Sequence, residues 1–180
     1  MQLTSRVLTI LSVLATLTGF TLYAVAASPT GCLPSNGAIS GWKVFSETRS
    51  GAMGEKASYD TYDGPVDVMK QEGIRYFAQR MFRSTTGKRY VTVDAFQLRN
   101  AGLAKALYAK KRASYKTAKP LTDQPSIRDR AFIGTVGKTT VGVVQRGIFV
   151  AEVTMSNATT DADRAKVKAF LTYISRKLGE

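Results

Sequence analysis

Several of the side chains that most often do chemistry are missing from this chain. It has no histidine and one cysteine, Cys32, in 180 residues. That excludes Ser-His-Asp and Cys-His catalysis, histidine-ligated metals, imidazole pH switches, internal disulfides and zinc sites of several cysteines. Carboxylates, hydroxyls, glycines and a surplus of cations remain. Asp60, Asp63, Asp67 and Glu72 are the densest acids, four of 13 within one short stretch. Loop oxygens of this kind suit calcium, and a carboxylate pair suits glycoside hydrolysis. The spacing is not that of an Asp-x-Asp-x-Asp-Gly calcium loop. A turn residue at Asp63 and a helix start at Asp67 account for these acids without a site.

Three other patterns carry less. Gly134-Thr135-Val136-Gly137-Lys138-Thr139 has the look of a phosphate-binding loop. Such a loop needs four residues between its glycines and a helix after it, and here two residues and a strand-like run stand in their place. The segment reads as a hairpin turn closed by Gly137. Ser40 and Lys43 have the spacing of a Ser-Lys dyad, but at a strand start rather than in a helix. Asn157-Ala158-Thr159 is a glycosylation sequon only in a eukaryotic secretory host.

The strongest signal is charge. Lys and Arg number 26 against 13 Asp and Glu, a formal +13. Between Asp94 and Asp123 there is no acid, while Arg99, Lys105, Lys110, Lys111, Arg112, Lys116 and Lys119 fall there with Tyr108 and Tyr115 interleaved. Cations at a helix C-terminus suit the helix dipole. Lys105, Lys110, Lys111, Arg112, Lys116 and Lys119 are therefore the candidate anion-binding residues. Lipid headgroups, an acidic wall polymer or nucleic acid would be their partners. Nucleic acid is the least expected, because neither a reading helix nor a stacking platform is visible. No metal or other cofactor is expected.

Arg6 is the only charge before Lys43, and Val7 to Ala27 is uncharged. A positive start, an apolar run and the small residues Ala24, Ala26 and Ala27 read as a signal peptide over residues 1–27. The run is also long enough for an N-terminal membrane anchor, which would associate the protein with the membrane at that end. Loss of the leader removes only Arg6 and leaves 25 basic and 13 acidic residues, a formal +12. Gly31 places a small residue before Cys32, which makes Cys32 a candidate for lipidation. Residues 28–41 are rich in Ser, Pro and Gly and read as a linker, with one domain over 42–180.

The elements that must position these residues follow from periodicity. Trp42–Glu47 reads as a strand, Thr48–Gly54 as a loop and Lys56–Tyr62 as a short strand. Asp67–Glu72 reads as a short helix stopped by Gly73. Ile74–Arg83 and Lys88–Leu98 flank a Ser-Thr-Thr-Gly turn and form an antiparallel hairpin, its second strand apolar on both faces and so interior. Asn100 caps a helix with the stripe Leu103, Ala106 and Leu107. Residues 115–130 form a polar connection. Ala131–Val136, Thr139–Gln145 and Ile148–Met155 are three strands joined by glycine turns. A helix over Asp161–Leu178 opens with Thr160 and Asp163 in capping-box spacing and buries Val167, Phe170, Leu171, Ile174 and Leu178. The fold class is α+β: an antiparallel sheet of about seven short strands, a helix after the central hairpin and a C-terminal helix packed on the sheet.

Leu33-Pro34, Gly41-Trp42, Tyr62-Asp63-Gly64 and Gly73 ahead of Tyr76 and Phe77 resemble the pattern of an exported bacterial family known only as a domain of unknown function. The resemblance covers about residues 33–178. Where that family has Ile-Asn-Gly-Gly-Ala-Glu, this chain has Lys70-Gln71-Glu72-Gly73-Ile74-Arg75. The resemblance implies an extracytoplasmic domain, often a lipoprotein, with no assigned chemistry. In element order alone the chain is also similar to the small antiparallel sandwiches of photosystem accessory and exported stress proteins.

Together these features describe an exported, non-catalytic envelope domain, periplasmic, secreted or anchored on the outer side, that acts as a binding or accessory module. A basic domain for anionic polymer, lipid headgroups or nucleic acid is the alternative. The leader makes a direct expectation: N-terminal sequencing of the exported protein should give a start at Ala27 or Ser28. A retained Met1 would refute cleavage, and a start at Cys32 with added lipid mass would establish a lipoprotein.

Overall fold

A computed structural model describes residues 28–62, 65–87, 89–115, 117–121, 127 and 130–178. The expected leader, residues 1–27, lies outside the described residues. The elements run β1 (Trp42–Val44), β2 (Arg49–Ala52), α1 (Lys56–Thr61), α2 (Val66–Gln71), β3 (Ile74–Ser84), β4 (Tyr90–Leu98), α3 (Ala101–Ser114), β5 (Lys119–Pro120), β6 (Arg130–Val136), β7 (Thr139–Arg146), β8 (Phe149–Met155) and α4 (Asp161–Lys177). All pairings are antiparallel, in one sheet ordered β1-β3-β4-β8-β7-β6-β5, with β2 also on β3. The α+β class is as expected, with eight strands where the sequence suggested seven.

Alternation in the central strands makes the sheet two-sided, because successive side chains of a strand point to opposite faces. Val91, Val93 and Ala95 of β4 join Ala151, Val153 and Met155 of β8 in one core, which Val167, Phe170, Leu171 and Ile174 of α4 close. Phe96 and Leu98 join Val141, Val143 and Val150 in a second core, under Ala104, Leu107 and Tyr108 of α3. Both helices are capped as their sequences foretell. The Asn100 side chain accepts from the Leu103 amide, and Thr160 and Asp163 form a reciprocal capping box. In the α3 stripe, Ala104 and Tyr108 are buried with Leu107, while Ala106 faces solvent.

Three expectations need correction. Residues 49–52 form an edge strand, not a loop, hydrogen-bonded along β3 from Tyr76 to Gln79. Residues 56–61 form a helix, not a strand. The reason is local. Ser58 Oγ donates to the Glu55 carbonyl at 2.7 Å and accepts the Gly54 amide at 3.0 Å, closing the first turn from inside. Residues 28–41 are not a linker. Cys32, Leu33 and Ile39 are buried in the α4-side core, and Arg80 of β3 donates to the Pro34 carbonyl at 2.6 Å. A chain of Ser, Pro and Gly can be ordered by turns and by a few apolar anchors.

Trp42, Phe82 and Phe170 form the densest aromatic contact. The Phe170 ring meets Phe82 edge-on at 5.0 Å and Trp42 at 5.6 Å between centroids. Phe170 is fully buried, so Phe170→Ala should destabilise the fold by about 3–5 kcal/mol. A urea titration followed by Trp42 fluorescence measures this. An unchanged midpoint would show that α4 does not hold this side of the sheet.

Candidate functional site

The basic run of the sequence does not form one patch. Lys110 is ion-paired with Glu72, and Lys111 with Glu152. Lys105 and Arg112 are exposed on α3. Lys116 lies outside the described residues. Lys119 is carried away from α3 by β5, which pairs with Phe132 and Ile133 of β6 at the sheet edge. There it lines a groove beside α4.

That groove has a volume of about 500 Å³. Its walls are Leu121, Ile133 and Gly134 from the sheet edge and Ala165 from α4, with Lys119, Arg164 and Lys168 also lining it. Thr117 and Thr135 are tied together at one end, the Thr135 amide donating to the Thr117 hydroxyl at 2.7 Å. Arg164 reaches Asp161 at 2.9 Å in an exposed pair. Lys119 and Lys168 have no acid within ion-pair distance among the described residues. A second groove of about 540 Å³ shares Ala165 and Lys168 and runs along α4 past Ile39, Ala169 and Tyr173 to Arg176. Sequence reasoning missed Arg164 and Lys168. Their i, i+4 spacing on one helical face, around Ala165, was the available signal.

On the opposite face lies a polar cluster that sequence reasoning also missed. Asp94 of β4 and Glu152 of β8 stand directly opposite each other in the ladder. Like charges so placed repel. Tyr62 donates to Asp94 at 2.7 Å, Gln79 donates to the same oxygen at 2.8 Å, and Lys111 pairs with Glu152. The Lys111 ammonium also sits 5.7 Å from the centre of the Phe96 ring. Desolvation raises the Asp94 carboxyl above its ordinary range. The Gln79 and Tyr62 hydrogen bonds oppose the shift, and Glu152 adds to it. Burial and the neighbouring Glu152 push Tyr115 up to about 12. This cluster ties α3 and the residue after α1 to the sheet and has no cavity of its own among those described.

The remaining candidates separate. Glu72 is taken by Lys110, Asp67 accepts from Tyr59, Asp60 is exposed, and Asp63 lies outside the described residues. Among the described residues no group of three or more Cys, Asp and Glu could hold a metal ion. Residues 134–139 are the β6–β7 hairpin, with Gly137 at φ +54°. Ser40 and Lys43 are both exposed. The Cys32 thiol is fully buried and donates to the Pro29 carbonyl at 3.1 Å. Desolvation pushes it up to about 12. With residues 28–31 in place, the Cys32 sulfur is a core atom of the α4-side cluster. Among the described residues no helix is long and apolar enough to cross a membrane.

No family model matches the chain. No curated protein matches it. Among solved structures, the crystal structure of the extracellular domain of PknH from Mycobacterium tuberculosis is similar at 8% identity and a TM-score of 0.35, covering 76% of this chain and 86% of that one. A superposition that loose supports neither a shared role nor a shared site.

The Asp94 cluster sets a pH signature. A carboxyl whose folded pKa lies above its unfolded value binds more protons when folded, so its contribution to stability falls as pH rises through that interval. In Asp94→Asn the amide oxygen still accepts from Tyr62 and Gln79, and the charge is gone. The variant should gain stability relative to the wild type as pH is raised from about 4 toward neutrality, the unfolded aspartate titrating near 3.9. Urea midpoints of both proteins across that range test this. A difference that stays flat, or runs the other way, would refute the raised carboxyl.

Proposed function

We propose that this chain is an exported, non-catalytic domain of the bacterial envelope that serves as a binding or accessory module for an anionic partner. The leader-like residues 1–27 and a formal +12 beyond them support export and an anionic partner. The observation that carries the reading is the groove between β5–β6 and α4, where Lys119 and Lys168 stand beside apolar walls without acidic partners among the described residues. The α3 cations support it less, because Lys110 and Lys111 are already paired with Glu72 and Glu152. The cross-strand carboxylate pair, Asp94 and Glu152, is committed to hydrogen bonds and an ion pair, which favours a binding role over hydrolysis.

Cosedimentation with anionic and zwitterionic vesicles, acidic wall polymer and duplex DNA, at several salt concentrations, tests the reading. The protein should bind anionic vesicles and not zwitterionic ones, and log affinity should fall with log salt as counterions are released. Lys119→Gln with Lys168→Gln should flatten that slope, whereas Lys105→Gln with Arg112→Gln should change it less. Equal binding to both kinds of vesicle, or tightest binding to DNA, would contradict the reading.

A further inference from the structure

We propose that the groove between β5–β6 and α4 takes a single-chain amphiphile with a phosphate head. This deepens the reading above and rests on it. Apolar walls and cations in one cavity divide a ligand into two parts. Leu121, Ile133 and Ala165 offer hydrocarbon contact, and Lys119 and Lys168 offer charge. About 500 Å³ is the size of a small-molecule site, in which apolar walls bind and a few polar groups orient. A chain of repeating charges would need cations in sequence along a polar floor. A nucleic acid would need a ring to stack on, and no described residue lining the groove is aromatic.

The head group follows from charge. Two ammonium groups lack acidic partners among the described residues, and Arg164 shares its charge with Asp161 across an exposed contact. A phosphomonoester carries about −1.5 to −2 near neutral pH and offers several acceptor oxygens, which matches two ammonium groups better than a carboxylate does. The Thr117–Thr135 pair adds polar character to the groove. With the head between Lys119 and Lys168, the alkyl chain lies over Ile133 and Leu121 against Ala165.

The test is calorimetric titration of the purified protein with dodecyl phosphate below its micellar concentration. Inorganic phosphate and dodecyl maltoside serve as comparison titrants. Dodecyl phosphate should bind at one saturable site with a negative heat-capacity change. Inorganic phosphate and the uncharged maltoside should each bind at least about tenfold more weakly. Lys119→Gln with Lys168→Gln should weaken dodecyl phosphate by about tenfold or more and leave the urea midpoint in place. Ala165→Trp, on the exposed face of α4, should fill the groove and abolish binding. Undiminished affinity in both variants would overturn the proposal, as would inorganic phosphate binding as tightly as the amphiphile. Adsorption to anionic vesicles without uptake of dodecyl phosphate overturns this inference and leaves the envelope reading standing. Loss of both overturns both.

Discussion

At Gly142 the interior strand β7 has no side chain, and α4 occupies the space. A Cβ there would stand 2.7 Å from both the Leu171 Cδ1 and the Val167 Cγ1 atoms. Interiors are close-packed, so this one missing side chain sets how low the helix sits. With its middle turns on β7 and β8, α4 brings Phe170 against Trp42 and Phe82. Its first turns extend toward the β5–β6 edge, where Arg164, Ala165 and Lys168 face Leu121 and Ile133 across a gap. The groove is thus a consequence of where the helix is seated. Gly134 does the same service on the other face, where a Cβ would lie 3.1 Å from the Tyr115 Cβ and 3.2 Å from the Ala118 Cα. That clearance lets the chain leaving α3 cross β6 and deliver Lys119 to the edge.

Charge is divided between the faces in a related way. On the α3 side, cations answer acids that the sheet and α2 present. Lys111 meets Glu152, which would otherwise face Asp94 directly across the ladder, and Lys110 meets Glu72 beside Gly73. On the α4 side, Asp163 is taken up by the helix cap and by Arg89. Burial would raise that carboxyl, but hydrogen bonds from Thr160 and the Arg89 guanidinium hold it below the usual range. No described acid lies within ion-pair distance of Lys119 or Lys168. A net positive charge can serve solubility alone, but unpaired cations beside an apolar cavity are better placed to bind a ligand.

Much of the fold was legible because its strands and helices follow simple periods. The β3–β4 hairpin, the β6–β7–β8 meander and both long helices are where alternation, turn glycines and capping residues place them. Two-sided burial of β4 was legible from Val91, Val93 and Ala95 against Phe96 and Leu98. Between residues 28 and 61 only the strand at Trp42 was legible. The elements there are short, and Ser58, Cys32 and Ile39 are anchored by hydrogen bonds and core contacts that leave no periodic trace. Lys119 was visible as part of a basic run. Its neighbours Arg164 and Lys168 were not, because only β5 pairing across the sheet edge brings them together. The pairing of Asp94 with Glu152 depends likewise on a β4–β8 contact that no local pattern encodes.

The central claim is that the contact surface lies beside α4 and not on α3. Backbone amide chemical shifts of the labelled protein, followed while anionic phospholipid bicelles are added, test it residue by residue. The account predicts shifts concentrated at Lys119, Ile133, Thr135, Ala165 and Lys168, with the amides of Lys105 and Arg112 still. Shifts centred on α3, with the groove residues unmoved, would contradict it.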